Sequence, residues 1–148
     1  MTQREEVRFK VYTKASTSLV GGQVFPLELI DFNEGDGSYN TTTYTYTVQN
    51  AGTYLLGLSY NKRLFTNKGS TDIRIDRVVD GVSTTRKIHR SQEVRTGAYL
   101  TINPVLMYKL EVGDEIYCRA GYGNPYTNRS SYTGDHTLNS FWGIRLDY

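Results

Sequence analysis

The sequence predicts an all-β domain, a sandwich or closed roll of about ten short strands. Hydrophobic residues recur with a period of two, as in Val7, Phe9 and Val11, which is the pattern of a strand with one buried face. Turn signals rich in glycine separate these runs at short intervals, as in sandwiches. No segment carries a capped apolar stripe at helical spacing. These three observations together exclude a helical fold.

The individual strands follow from the same alternation. Strand-like runs cover 7–12, 43–48, 54–60, 72–76, 98–107, 115–120 and 140–148. Turn signals lie between them at 21–22, 33–37, 67–70, 80–81, 112–114 and 121–125. In the last run, Trp142, Ile144 and Leu146 share one face, and we expect that face to be the buried one.

Length, charge and cysteine content limit the class of protein. The chain has 148 residues, which fits one domain spanning 1–148, and its 13 Tyr and 5 Phe exclude a mostly disordered protein. A net charge of +2 is too small to make nucleic acid the expected partner. The single cysteine, Cys118, excludes an internal disulfide and a cysteine-based zinc cluster. Because Cys118 alternates with Ile116 and Ala120, we expect a buried, inert thiol.

The sequence predicts no membrane insertion, and it leaves open whether a leader was removed upstream or the protein reaches its site by another route. No apolar run approaches the roughly 20 residues that a transmembrane helix needs. The first segment, Met1–Tyr12, lacks the apolar stretch of a signal peptide.

An enzymatic function is not predicted. A Ser-His-Asp triad needs a histidine base, and the only histidines are His89, between cationic neighbours, and His136, in a polar stretch. No serine lies in a G-x-S-x-G nucleophile elbow. The sequence therefore favours a non-enzymatic protein without catalytic residues.

One run has the alternating oxygen ligands of a calcium loop. The sequence DFNEGDG, Asp31–Gly37, fails the EF-hand pattern because Asp36 occupies the required glycine and the twelfth position is Thr42. We expect a tight polar turn between strands. A weak calcium site completed by other loops stays open, and no other cofactor is predicted.

Two segments are candidate ligand-binding surfaces. The long polar stretch Gly121–Asn139 mixes aromatic, amide and guanidinium groups, a composition that suits recognition or packing at a subunit boundary. Its candidate contact residues are Tyr122, Asn124, Tyr126, Asn128, Arg129 and Tyr132. The weaker candidate is an anion-binding cluster of Arg86, Lys87 and Arg90, although the sequence favours a solvated strand face for these charges.

Three segments together resemble the globular head of the complement C1q family, within the C1q/TNF-like jelly rolls. Residues Tyr39–Leu58 carry the aromatic and glycine signature YNTTTYTYTVQNAGTYLLGL. Leu110–Gly123, LEVGDEIYCRAGYG, resembles the penultimate strand, and Ser140–Tyr148, SFWGIRLDY, resembles the closing strand. The segment Asn61–Arg95 matches the family only in its strand pattern, so no ligand specificity transfers through it.

The resemblance implies a jelly-roll homotrimer that acts as a recognition head. Such heads bind a cell-surface carbohydrate or protein through apical loops, and they occur in secreted animal proteins and in phage or bacterial fibres. The implied location is therefore extracellular or on the virion surface. Two alternatives remain: a structural trimerisation or decoration module of a fibre, capsid or extracellular assembly, and a secreted C1q-like protein of innate immunity or signalling.

Overall fold

Alternating apolar residues give each sheet of the structure one face toward a shared core. The computed structural model describes residues 6–13, 17–20, 22–35, 37–64, 69–93, 99–120, 127–130 and 139–146, and these contain strands and turns but no helix. The strands are β1 (Arg8–Tyr12), β2 (Thr17–Val20), β3 (Leu29–Glu34), β4 (Ser38–Asn40), β5 (Thr45–Thr47), β6 (Gly52–Leu64), β7 (Gly69–Val79), β8 (Val82–Glu93), β9 (Tyr99–Ile102), β10 (Val105–Leu110), β11 (Asp114–Ala120), β12 (Thr127–Ser130) and β13 (Ser140–Arg145).

The strands form two antiparallel sheets. The large sheet has the order β2-β12-β6-β13-β1-β3, with β10 and β9 also paired to the long strand β6. The small sheet has the order β4-β5-β11-β7-β8, which leaves β8 at its edge. Non-consecutive neighbours such as β1 and β13 bring distant segments together, as expected for a jelly roll. The predicted all-β jelly-roll sandwich is therefore confirmed.

The core lies between the two sheets and is rich in aromatic rings. Phe9 stacks on Tyr46 with ring centroids 4.0 Å apart, and Phe25 stacks on Tyr60 at 4.3 Å. Cys118 is buried in the same core, and burial raises the pKa of its thiol, so the expected inert thiol agrees with the structure. Within the described residues, no helix has the length and apolar character needed to cross a bilayer.

The predicted orientation of the last strand is wrong. Phe141 and Gly143 of β13 face the core, whereas Trp142 and Ile144 point outward and are only half-buried. Gly143 is required on the inner face because a Cβ atom there would lie 2.4 Å from the ring of Phe9. The sequence was ambiguous because β13 carries apolar residues on both faces.

Three predicted boundaries also differ from the structure. The run 98–107 is divided into β9 and β10 around Pro104, which has no N–H for the sheet ladder. Part of the supposed turn after Asp31 belongs to β3, which continues to Glu34. The polar stretch 121–139 contains strand β12, held between β2 and β6. The predicted turn at Asp80–Gly81 is confirmed, with positive φ at both residues.

Candidate functional site

The outward face of the large sheet carries apolar side chains from four strands, β3, β13, β6 and β10, with the charged residues of β1 between β3 and β13. Register partners place Phe32, Lys10, Trp142, Gly57 and Val105 in one row. The neighbouring row contains Glu34, Arg8, Ile144, Leu55 and Met107. Register partners in a sheet project from the same face, so these side chains form one surface. We use the name outer band for its apolar members, Phe32, Trp142, Val105, Ile144, Leu55 and Met107.

Trp142 lies flat on the backbone of β6 at the centre of this surface. A Cβ atom at Gly57 would stand 2.2 Å from the indole ring, so only glycine leaves room for the ring in this position. Beside the indole is a hollow of about 450 Å³, whose lining includes Phe32, Gly143 and Ile144. Its lining combines the apolar side chains of Phe32, Trp142 and Ile144 with the polar groups of Arg8, Lys10 and Ser140, so an apolar side chain that enters would contact the indole ring while charged groups stand at the rim.

Charged groups border the hollow on its β1 side. The guanidinium carbon of Arg8 stands 5.0 Å from the ring centroid of Phe32, in a cation–π arrangement. Arg8 also donates a hydrogen bond to Glu34, which lowers the pKa of that carboxyl group. Lys10 approaches Asp31 at 3.9 Å. The charges at the rim are thus partnered and do not form an anion site.

At the β10 end of the outer band, side chains project into solvent instead of lining a hollow. Val105 and Met107 of β10 are 51% and 65% exposed, and Met107 lies opposite the half-buried Leu55. Monomeric proteins rarely leave large contiguous apolar surfaces in water. The outer band therefore combines a hollow on its β3–β1–β13 side with projecting side chains on β10.

The predicted anion cluster is divided by the structure. Arg90 donates two hydrogen bonds, of 2.8 and 2.9 Å, to the carboxylate of Asp72, which is fully buried. The hydrogen bond to Asp72 raises the pKa of Arg90. Arg86 and Lys87 are exposed on β8. Arg90 therefore has a structural partner, and only the other two cations lie open to an anion.

The calcium hypothesis receives no support from the arrangement of its acids. Asp31 and Glu34 lie on strand β3 and pair with the cations of β1, and the amide of Asn33 donates to the carbonyl of Gly37. Across the described ranges, no group of three His, Cys, Asp or Glu side chains is arranged to hold a metal ion. Asp36 lies outside the described residues.

Most of the predicted ligand-contact residues cannot be placed. Tyr122, Asn124, Tyr126 and Tyr132 lie outside the described residues, as does His136. Asn128 and Arg129 belong to strand β12, where their backbones pair with β2 and with β6, and their side chains are not described. The loop site stays a prediction.

Sequence reasoning missed the outer band because it assigned one apolar face to each strand. The available signal was that β13 and β6 carry apolar residues on both faces, as in Phe141 beside Trp142 and Leu56 beside Leu55. In an antiparallel sheet, a strand that is apolar on both faces departs from the usual alternation of a buried face with a solvated one.

Comparison with known proteins gives structural but not sequence relatives. No protein-family model matches the chain, and no curated protein matches its sequence. The solved structure of the TNF protein Eiger from S. frugiperda has a TM-score of 0.72 at 9% identity, covering 97% of this chain and 94% of that one. The globular domain of zebrafish complement 1qA has a TM-score of 0.69 at 10% identity, covering 95% and 98%. Murine APRIL has a TM-score of 0.67 at 16% identity, covering 95% and 99%.

These similarities extend over nearly the whole chain on both sides. They confirm the C1q/TNF-like jelly roll that the three sequence segments indicated. At identities of 9–16% the likeness concerns the fold.

Proposed function

We propose that this chain is a non-enzymatic recognition head that works as a homotrimer and binds a protein or carbohydrate ligand. The single observation that carries the proposal is the outer band, an apolar surface on a fold shared with TNF and complement 1qA domains. The resemblance to the C1q/TNF-like family implies that the assembly contains three copies. The proposed setting is extracellular or on a virion surface.

The shape of the outer band supports contact between copies. Its hollow lies on the β3–β1–β13 side and its projecting residues, Val105 and Met107, lie on β10, across the same sheet. A single copy cannot place its own Met107 in its own hollow. When two different patches meet head to tail, repetition gives a closed ring if the rotation between copies closes, as a threefold rotation does, and an open filament if it does not. In the proposed trimer, Met107 of each copy enters the hollow beside Trp142 of the next.

Ligand binding is proposed for the segment 121–139, where tyrosine, amide and guanidinium groups are concentrated. The alternative surface is the pair Arg86 and Lys87 on β8. These two surfaces differ in salt dependence, because an exposed cationic patch binds through screened charge and weakens above about 0.15 M salt.

A glycan array and a cell-binding assay on the trimer are the first tests, followed by titration of a captured ligand at increasing salt. We expect Tyr126→Ala to abolish binding and the double variant Arg86→Ala plus Lys87→Ala to retain it. Arg90 is left intact in this comparison because its loss would expose buried Asp72. Loss of binding in the double variant alone would move the site to β8. A trimer that binds no glycan, cell or protein would favour a structural decoration module.

A further inference from the structure

Strand β8 is a long sheet edge that lies open to solvent. It has 12 residues and, within the described part of the chain, pairs only with β7. Residues 82–88 are all exposed. The free side of an edge strand presents a row of backbone donors and acceptors that can pair with another chain. An edge of this length can accommodate an added strand of ordinary size.

The charge of this edge has one sign over most of its length. Between Val82 and Gln92 the charged residues are Arg86, Lys87 and Arg90, and no acid occurs. Since Arg90 is bound to Asp72, the exposed cations that form no ion pair within the described residues are Arg86 and Lys87. An approaching segment therefore meets two neighbouring positive charges at the middle of the strand.

A bulge in β8 lies at the position of these two charges. Thr85 pairs with Asp76 and Lys87 with Ile75, so Arg86 is an extra residue inserted opposite the register shift. A bulge turns side chains away from the regular alternation and locally interrupts the ladder that any added strand would form. Pairing of β8 with β8 of a second copy would bring cations near cations. The charge therefore disfavours a second copy and favours an occupant of opposite charge.

We propose that the free edge of β8 is a second recognition surface, which binds an extended acidic segment of a partner protein as a sixth strand of the small sheet. Backbone hydrogen bonds supply the sequence-independent part of such strand addition. Arg86 and Lys87 select carboxylates. The proposal rests on neither the trimer nor the segment 121–139, because β8 belongs to the sheet opposite the outer band.

The test uses the intact chain and a capped peptide of about nine residues that alternates threonine with glutamate. Two further peptides carry N-methyl groups on alternate amides, one on the odd positions and the other on the even positions. Only one set of amides faces β8 in an added strand, so we expect one methylated peptide to lose binding and the other to retain it. Equal binding of both methylated peptides would show attraction of charge alone and overturn the proposal.

Protein variants test the role of the two cations. We expect Arg86→Glu plus Lys87→Glu to raise the Kd at least about tenfold, because like charges then oppose the peptide. The matched control, Arg86→Lys plus Lys87→Arg, keeps the charge and should bind within about twofold of the parent. Unchanged binding after charge reversal, or no binding of the unmethylated peptide to the parent, would contradict the proposal. Because both residues are exposed, circular dichroism should show both double variants folded.

Discussion

At the scale of single residues, the least expected feature is a fully buried carboxylate on the outward face of the small sheet. Asp72 has no exposed surface and accepts two hydrogen bonds from Arg90, while Arg119 approaches it at 3.6 Å. A buried charge is stable only when its partners replace water. The arginine that sequence patterning assigned to an anion site is thus the ion-pair partner of a buried carboxylate.

Asp72→Asn should lower the free energy of unfolding by about 3–5 kcal/mol, because the substitution leaves the two arginines without their shared carboxylate. Urea unfolding followed by circular dichroism measures this change. The matched control is Asp80→Asn in the exposed turn, where asparagine accepts the same positive φ and the charge change is identical. Equal stabilities of the two variants would show that the Asp72–Arg90 pair contributes nothing to folding.

Alanine substitutions at Gly143 and Gly57 should have different effects, because the two glycines lie under rings on opposite faces of the large sheet. In Gly143→Ala the new methyl group meets Phe9 inside the core, so we expect a loss of about 1–3 kcal/mol. In Gly57→Ala the methyl group displaces Trp142 toward solvent instead. Because Trp142 is the only tryptophan, its fluorescence should shift in the Gly57 variant and remain near the parent value in the Gly143 variant. The reverse pattern would contradict the assigned faces.

At the scale of strands, alternation predicted the positions of strands better than it predicted which face is buried. It was sufficient for β1 and β11, where Phe9 and Ile116 alternate with polar residues. It failed for β13, because a strand that is apolar on both faces carries no signal for the core side. It also missed β12, whose polar residues 127–130 form a strand through backbone pairing on both sides. The side-chain placement of the candidate loop site depends on long-range packing that local patterns do not encode.

Buried tyrosines on β6 and β11 predict a loss of stability in alkali. Burial raises the pKa of Tyr54 to about 12, and burial followed by the hydrogen bond to Asp76 raises the pKa of Tyr117 to about 12. In the unfolded chain both ionise near pH 10. Between about pH 10 and 12 the unfolded chain has therefore lost protons that the folded chain keeps, so stability falls as pH rises.

Urea midpoints measured between about pH 8 and 12 test this linkage. We expect stability to start to fall above about pH 8, where the thiol of Cys118 ionises in the unfolded chain but not in the folded one, and to fall further above about pH 10 as the tyrosines follow. The variant Tyr54→Phe, which loses the hydrogen bond to the carbonyl of Asn50, should decline less steeply. An increase in stability above pH 10, or an identical slope in the variant, would contradict the assigned burial.

At the scale of the whole molecule, a jelly roll like those of TNF and complement 1qA domains is built here from a sequence only 9–10% identical to them. The constraint they share is geometric, since two sheets must enclose one core, and many apolar sets satisfy it. The outward face of the large sheet encloses no core within a single chain, so this constraint does not apply to it. Its hollow and its projecting Met107 are the two observations on which the proposed packing of a further copy rests.

Sedimentation equilibrium of the parent chain and of Met107→Glu at micromolar concentration tests this account most directly. We expect the parent to sediment as a trimer and Met107→Glu to sediment as a folded monomer, because the carboxylate would lose water against the indole of Trp142 in the next copy, where the nearby cations are already paired. The matched control, Val112→Glu, places the same charge at an equally exposed residue in the turn before β11 and should remain trimeric. A monomeric parent, or a Met107→Glu variant that stays trimeric, would contradict the assignment of the outer band.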